Sequence, residues 1–142
     1  MSSFYILGID QSTQGTKAVL FDKDGKIIAR ADAAHEQIVS EQNWVSHNLE
    51  EIYGNVIKAS RQVVEKAGID KNQIVCMGID NQRETTAAWN LKTGRPVADA
   101  IVWQCNRAKD ICKRIGSDGK SDEKIYRRTG LKLSPYYPAG KM

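Results

Sequence analysis

Histidine, cysteine and long apolar runs are scarce in this 142-residue chain, and each scarcity argues against a class of function. The two histidines, His35 and His47, stand too far apart to suggest a metal cluster, although folding can bring distant ligands together. Cys76, Cys105 and Cys112 are odd in number and show no Cys-x-x-Cys spacing, which argues against a disulfide framework. No apolar segment approaches the roughly 20 residues of a membrane-spanning helix, and the N-terminus has no signal-peptide layout. The expectation is a cytoplasmic protein with reduced, buried thiols. Net charge is +4, but the basic residues are scattered. Their densest group, Arg127, Arg128 and Lys132, lacks interleaved aromatics and reads as a solvated face. Neither a nucleic-acid partner nor a membrane partner is expected. Repeats and linkers are absent too, so residues 1–142 read as one structural unit.

What is present is an ordinary globular composition, 41% apolar and 27% charged, arranged around the stretch from Gly8 to Val19. The apolar run Phe4–Ile9 ends in Asp10. Small and polar residues follow, and a second apolar run, Ala18–Phe21, begins. Two strands joined this way expose backbone N–H groups and hydroxyls beside one carboxylate. Such a turn can bind the oxygens of a phosphate chain while the carboxylate holds a divalent cation through water. Gly15 permits close approach and Lys17 adds positive charge. An ordinary polar hairpin explains the same residues, and the turn alone does not separate the two readings.

Strand signals span Phe4–Asp10, Lys17–Asp22 and Ile27–Ala34, with Asp24-Gly25 between the last two as a hairpin turn. Asn48 and Glu51 form a capping-box pattern before a helix that runs to Ala67 and stops at Gly68. Gln73–Asp80 is continuously apolar through Ile79 and predicts a buried strand. Thr85–Asn90 reads as a further strand and Ala100–Trp103 as a short apolar segment. Asn106 and Ser121 are candidate caps for two helices ended by Gly116 and Gly130.

Asn81-Gln82-Arg83-Glu84-Thr85-Thr86 follows the apolar strand, at the carboxyl end where α/β sheets bind ligands. Arg83 supplies fixed donors beside the acceptors of Glu84, a pairing suited to adjacent hydroxyls. A surface ion pair is an equally good reading of that dipeptide. Trp103 could pack on the C–H face of a sugar or polyol, or sit half-buried in a core. Tyr136 and Tyr137 could offer hydroxyls to the same ligand, or anchor a loop.

These motifs together resemble a known family. Residues 6–17, ILGIDQSTQGTK, resemble the first phosphate-binding segment of sugar kinases with the actin-like ATPase fold. The block from Gly78 to Arg107 is similar to the FGGY carbohydrate kinases, and among them most like glycerol kinases. Its signature is Asn81-Gln82-Arg83-Glu84-Thr85-Thr86 followed by Val102-Trp103-Gln104. Asn43-Trp44-Val45-Ser46-His47, with Asn43 at a position usually held by glycine, and Thr129-Gly130-Leu131 through Pro135-Tyr136-Tyr137 extend the likeness along the chain.

The resemblance implies an α/β, ribonuclease-H-like half domain: an antiparallel meander plus a β-α-β continuation of a mixed sheet with flanking helices. It implies ATP and Mg²⁺ as cofactors, and phosphorylation of a terminal hydroxyl on glycerol or a related polyol or sugar. Arg83, Glu84 and Tyr136 would hydrogen-bond the polyol, with Trp103 packed beside it. Asp10 would lie near Mg²⁺, through water, and Gln11, Ser12, Thr13, Gly15, Thr16 and Lys17 would line the phosphates. The family's catalytic base is an aspartate beyond the region covered here. The chain is therefore expected to be an N-terminal portion, inactive by itself. Alternatives are a non-catalytic polyol-binding or assembly module that self-associates, a pentulose or tetritol kinase, and a nuclease using Asp10, which would need several converging carboxylates.

Overall fold

In the computed structural model, which describes residues 4–142, the elements follow the order β1 (Tyr5–Ser12), β2 (Gly15–Asp22), β3 (Ile27–Ala34), β4 (Ile38–Val39), β5 (Val45–His47), α1 (Leu49–Ala67), β6 (Ile74–Asn81), β7 (Ala100–Ile101), α2 (Lys109–Gly116) and α3 (Ser121–Thr129). Short 3-10 turns occupy Lys71–Gln73 and Pro138–Gly140. Where the sequence suggests one unit, the chain packs as two: residues 4–36 with 48–82, and Gln37–His47 with Arg83–Met142. The two segments of the second unit pair with each other, through β5 and β7.

In the first unit β1, β2 and β3 form the expected meander, and β6 joins β1 in parallel, giving the order β3-β2-β1-β6. Alternation places Leu7, Ile9, Ala18, Leu20, Ala31 and Ala33 on one face, where Ala59 and Val63 of α1 cover them. Half of the predicted capping box forms at α1: Asn48 caps the helix, while the Glu51 carboxylate accepts from the Glu36 N–H instead of reaching back to Asn48. Asn48 Oδ1 accepts the N–H groups of Glu50 and Glu51 at 2.9 and 3.1 Å. At the other end Gly68 turns left-handed, φ 63°, and donates to the carbonyls of Val64 and Glu65.

The strand predicted to be buried is not. Val75 is 64% exposed and Met77 54%, and Cys76 is exposed with them. The reason is position: β6 is an edge strand, and α1 lies over β2, β3 and part of β1. The expectation of buried thiols therefore holds for Cys105 and Cys112 only.

In the second unit β4, β5 and β7 form a small antiparallel sheet. Asn43, at the usual glycine position, has φ 58°, a left-handed conformation that asparagine tolerates better than most residues. Three local expectations are corrected here. Thr85–Asn90 is not a strand but two isolated bridges, Thr86 with Ile101 and Trp89 with Pro96. Asn90 folds back instead, its Oδ1 accepting from Lys92 and Thr93, and Trp89 and Leu91 stay exposed with no face to bury. Asn106 caps no helix through its side chain, since α2 starts at Lys109 with Ala108 in the cap position. Ser121 lies inside α3, and Asp118 does the capping, accepting from the N–H groups of Lys120 and Ser121 and from the Ser121 hydroxyl. Those bonds, the Ser121 hydroxyl foremost, hold the Asp118 carboxyl down at about 2.

Truncation separates the covered face from the edge strand. Leu20→Ala should cost about 2–5 kcal/mol in urea unfolding followed by circular dichroism, whereas Val75→Ala should cost less than about 0.5 kcal/mol. Equal losses at the two positions would contradict this placement of β6.

Candidate functional site

The first unit carries the phosphate candidates at the β1–β2 turn. The turn is tighter than the sequence suggests. Gln11 and Ser12 end β1, Gly15, Thr16 and Lys17 begin β2, and only Thr13 and Gln14 connect them. Cross-strand pairing then sorts the candidates by face. Gln11 pairs with Thr16 on the covered face, while Asp10 pairs with Lys17 on the opposite one. Gln11 is buried, and its side chain donates to the Ser12 carbonyl at 3.0 Å. Thr16 is 1% exposed, and its hydroxyl has no hydrogen-bond partner among the described residues. The Ser12 hydroxyl donates to the Gly15 carbonyl at 2.9 Å.

Gly15 is required for packing within the sheet. A Cβ there would stand 2.6 Å from the Ala33 carbonyl oxygen of β3. The close approach seen is thus between neighbouring strands.

On the open face Lys17 Nζ lies 2.9 Å from Asp10 Oδ2. Both side chains are partly exposed, so the pair contributes at most about 1 kcal/mol and can be exchanged for other partners. The same rung runs across four strands, because Lys17 also pairs in register with Asp32 and Asp10 with Asp80. The Arg30 guanidinium, hydrogen-bonded to Asp32, holds that carboxyl below the usual carboxylate range. Asp32 and Asp80 were not singled out from sequence. The register of the two hairpins and of the parallel β1–β6 pair is the signal that would have found them.

Among the described residues no group of three or more His, Cys, Asp or Glu is placed to hold a metal directly. The donor set nonetheless fits a phosphate chain accompanied by a cation. A crevice of about 210 Å³ brings Ser12, Gly15, Thr16 and Lys17 together with Asp32. Its carboxylate would repel a bare phosphate but not one neutralised by a divalent ion, and the orphaned Thr16 hydroxyl is a polar group still lacking a partner.

The second unit carries the polyol candidates. Arg83 is exposed and Glu84 half-buried, and they do not pair with each other among the described ion pairs. Glu84 has φ 63°, a conformation costing about 1–3 kcal/mol for a residue other than glycine. Trp103 and Tyr136 meet edge to face, their ring centroids 5.8 Å apart, and Tyr137 packs on Tyr136 at 5.0 Å. The structure therefore brings Trp103 together with Tyr136.

Two basic side chains brace this unit. Arg107 donates to Ser46 Oγ at 2.6 Å, to the Val45 carbonyl and to Cys105 Sγ, and its guanidinium lies over the Trp44 ring. Burial of the Cys105 thiol opposes its ionisation. The hydrogen bonds from Arg107 and Val45, with the guanidinium charge, outweigh that and leave it below the ordinary thiol value. Lys141 donates to the carbonyls of Glu84, Trp103 and Tyr136 at 3.3, 3.3 and 2.8 Å. Burial, with help from the Arg107 charge, pushes its ammonium below the ordinary lysine value against the opposing pull of Cys105 and Glu84.

Gly15→Ala should destabilise the first unit by about 1–3 kcal/mol through overpacking against β3. Amide shifts should move in β2 and β3 while those of α2 and α3 stay fixed. Unchanged stability would mean that the 2.6 Å approach is not a real constraint.

Comparison with known proteins agrees with this architecture. Glycerol kinase 1 of Thermotoga maritima is 45% identical over 138 residues, covering 97% of this chain and 28% of that protein. The crystal structure of Plasmodium falciparum glycerol kinase with ADP matches at 32% identity and a TM-score of 0.86, over 96% of this chain and 27% of that one. Gluconate kinase from Lactobacillus acidophilus matches at 26% identity and a TM-score of 0.88, over 99% and 27% respectively. The chain thus spans 28% of the length of the first of these relatives. The α/β fold with its mixed sheet is that of these kinases, which share the actin-like ATPase architecture. Residues 5–142 match the N-terminal domain of the FGGY family of carbohydrate kinases, and the chain belongs to that family.

Proposed function

We propose that this chain takes part in ATP-dependent phosphorylation of glycerol or a closely related polyol, at a terminal hydroxyl. The observation that carries the reading is the polyol-like end of the second unit. There Arg83 and Glu84, donor and acceptor, occur in one unit with the wall made by Trp103 and Tyr136. The 45% identity to a protein named glycerol kinase supports glycerol over a longer sugar.

In this reading the Arg83 guanidinium donates to hydroxyl oxygens, the Glu84 carboxylate accepts hydroxyl protons, and Tyr136 adds a third polar group. Trp103 packs against the carbon face and excludes water. At the phosphate end, Lys17 exchanges Asp10 for a phosphate oxygen, and backbone N–H groups of the turn between Ser12 and Gly15 would donate to the same chain of oxygens. Asp10 would hold Mg²⁺ through water, and the ion would neutralise charge on the phosphates. The attacking hydroxyl oxygen forms a bond to the γ-phosphorus as the bond to the bridging oxygen breaks, and ADP leaves. No residue of this chain is assigned to take the hydroxyl proton.

A second reading, an assembly module, is favoured by one feature. No described strand pairs with the outer edge of β6, where Val75, Met77 and Ile79 are exposed. Sedimentation of a dimer would support it.

The kinase reading is tested in a chimaera that carries these residues in place of the matching segment of Thermotoga maritima glycerol kinase 1. Arg83→Ala and Glu84→Gln should each raise the KM for glycerol roughly 10- to 100-fold and leave that for ATP unchanged, while Lys17→Met should do the reverse. Unaltered glycerol kinetics in both polyol variants would remove Arg83 and Glu84 from the substrate site.

A further inference from the structure

We propose that Lys141 is a positioning residue for the polyol end: its ammonium gathers the backbone carbonyls of Glu84, Trp103 and Tyr136 and so sets the directions of their side chains. The inference rests on the reading of those residues as polyol-binding.

An ammonium has three N–H donors, and here each has a carbonyl acceptor. The acceptors are not neighbours in sequence. They stand 57, 38 and 5 positions from Lys141, on separate stretches of irregular chain. They are also the backbones of three of the four residues that the polyol reading needs. The first two of these stretches already meet at the Thr86–Ile101 bridge and where the Trp103 N–H donates to Thr85 Oγ at 3.4 Å, and the shared ammonium joins the Tyr136 stretch to them.

Two further features show the clamp to be built. Glu84 sits at φ 63°, a conformation that persists only when its surroundings hold it, and its carbonyl is one of the three acceptors. The ammonium is partly withdrawn from water yet makes no ion pair among those described, so the carbonyl dipoles solvate it in place of a carboxylate. The lysine backbone is itself anchored. Its N–H donates to the Pro138 carbonyl at 2.8 Å, and Gly140 lies so close to α2 that a Cβ would come within 3.2 Å of Ala108 Cβ.

The test uses isotope-labelled 142-residue chain. In the wild type, ring-to-ring NOEs should connect Trp103 and Tyr136, and glycerol should shift the Trp103 indole signal. Lys141→Met should erase those NOEs and weaken glycerol binding tenfold or more, without moving the Asp10 and Lys17 signals. Lys141→Arg keeps the charge but spreads its donors over a plane, and should fall between. Alkylating Lys141→Cys with 2-bromoethylamine, in a Cys76→Ser background, restores an ammonium on a chain of lysine length and should recover binding to within twofold. NOEs and binding that survive in Lys141→Met would overturn the proposal. So would collapse of the α2 and α3 signals in that variant without recovery on alkylation. A wild type that shows the NOEs, loses them in Lys141→Met and regains them on alkylation, yet never binds glycerol, would uphold the clamp and overturn the polyol reading.

Discussion

The double pairing of β1 is the constraint from which the first unit follows. β1 is antiparallel to β2 and parallel to β6, and its alternate residues Leu7 and Ile9 are buried beneath α1. A shift of one residue in either register would exchange the covered and open faces. It would place Asp10 and Lys17 against the apolar face of α1, and a buried, poorly hydrated charge is far more costly than a lost apolar contact. Burial of Leu7, Ile9, Ala18 and Leu20 therefore does more than stabilise the sheet. It fixes which side of the turn carries charge, and lines up Asp32, Lys17, Asp10 and Asp80 in one rung.

The second unit works on a different principle. Its sheet is made of strands two or three residues long, and much of its chain is irregular. Cations supplement the short ladders there. Arg107 draws Trp44, Val45 and Ser46 onto the segment after β7, and Lys141 joins Glu84, Trp103 and Tyr136. Long side chains that end in several donors can bridge segments for which no regular register exists. The left-handed backbones at Asn43 and Glu84 lie on the segments those cations hold.

Much of this was legible in the sequence where local chemistry decides the outcome. The meander, α1 with its Asn48 cap and Gly68 stop, and the parallel strand after it follow from alternation, helical spacing and cap residues. The family followed from Asn81–Thr86 with Trp103. What could not be read depended on neighbours. The apolar run from Ile74 to Ile79 looks the same whether a strand is central or at an edge, so its exposure could not be anticipated. Asp118 won the cap of α3 from Ser121 because an acceptor three residues earlier reaches more N–H groups than a residue already inside the helix. Asp32 and Asp80 joined the charged rung through register, and Lys141 was invisible because its partners are backbone carbonyls that leave no mark on residue identity.

The central claim is that these residues serve transfer of a phosphoryl group to a polyol and not to water. Phosphorus NMR of the chimaera with Mg-ATP and glycerol reads that choice directly. The account predicts a phosphate monoester signal that grows in step with loss of the γ-phosphate. Appearance of inorganic phosphate alone, at a rate indifferent to glycerol, would contradict it.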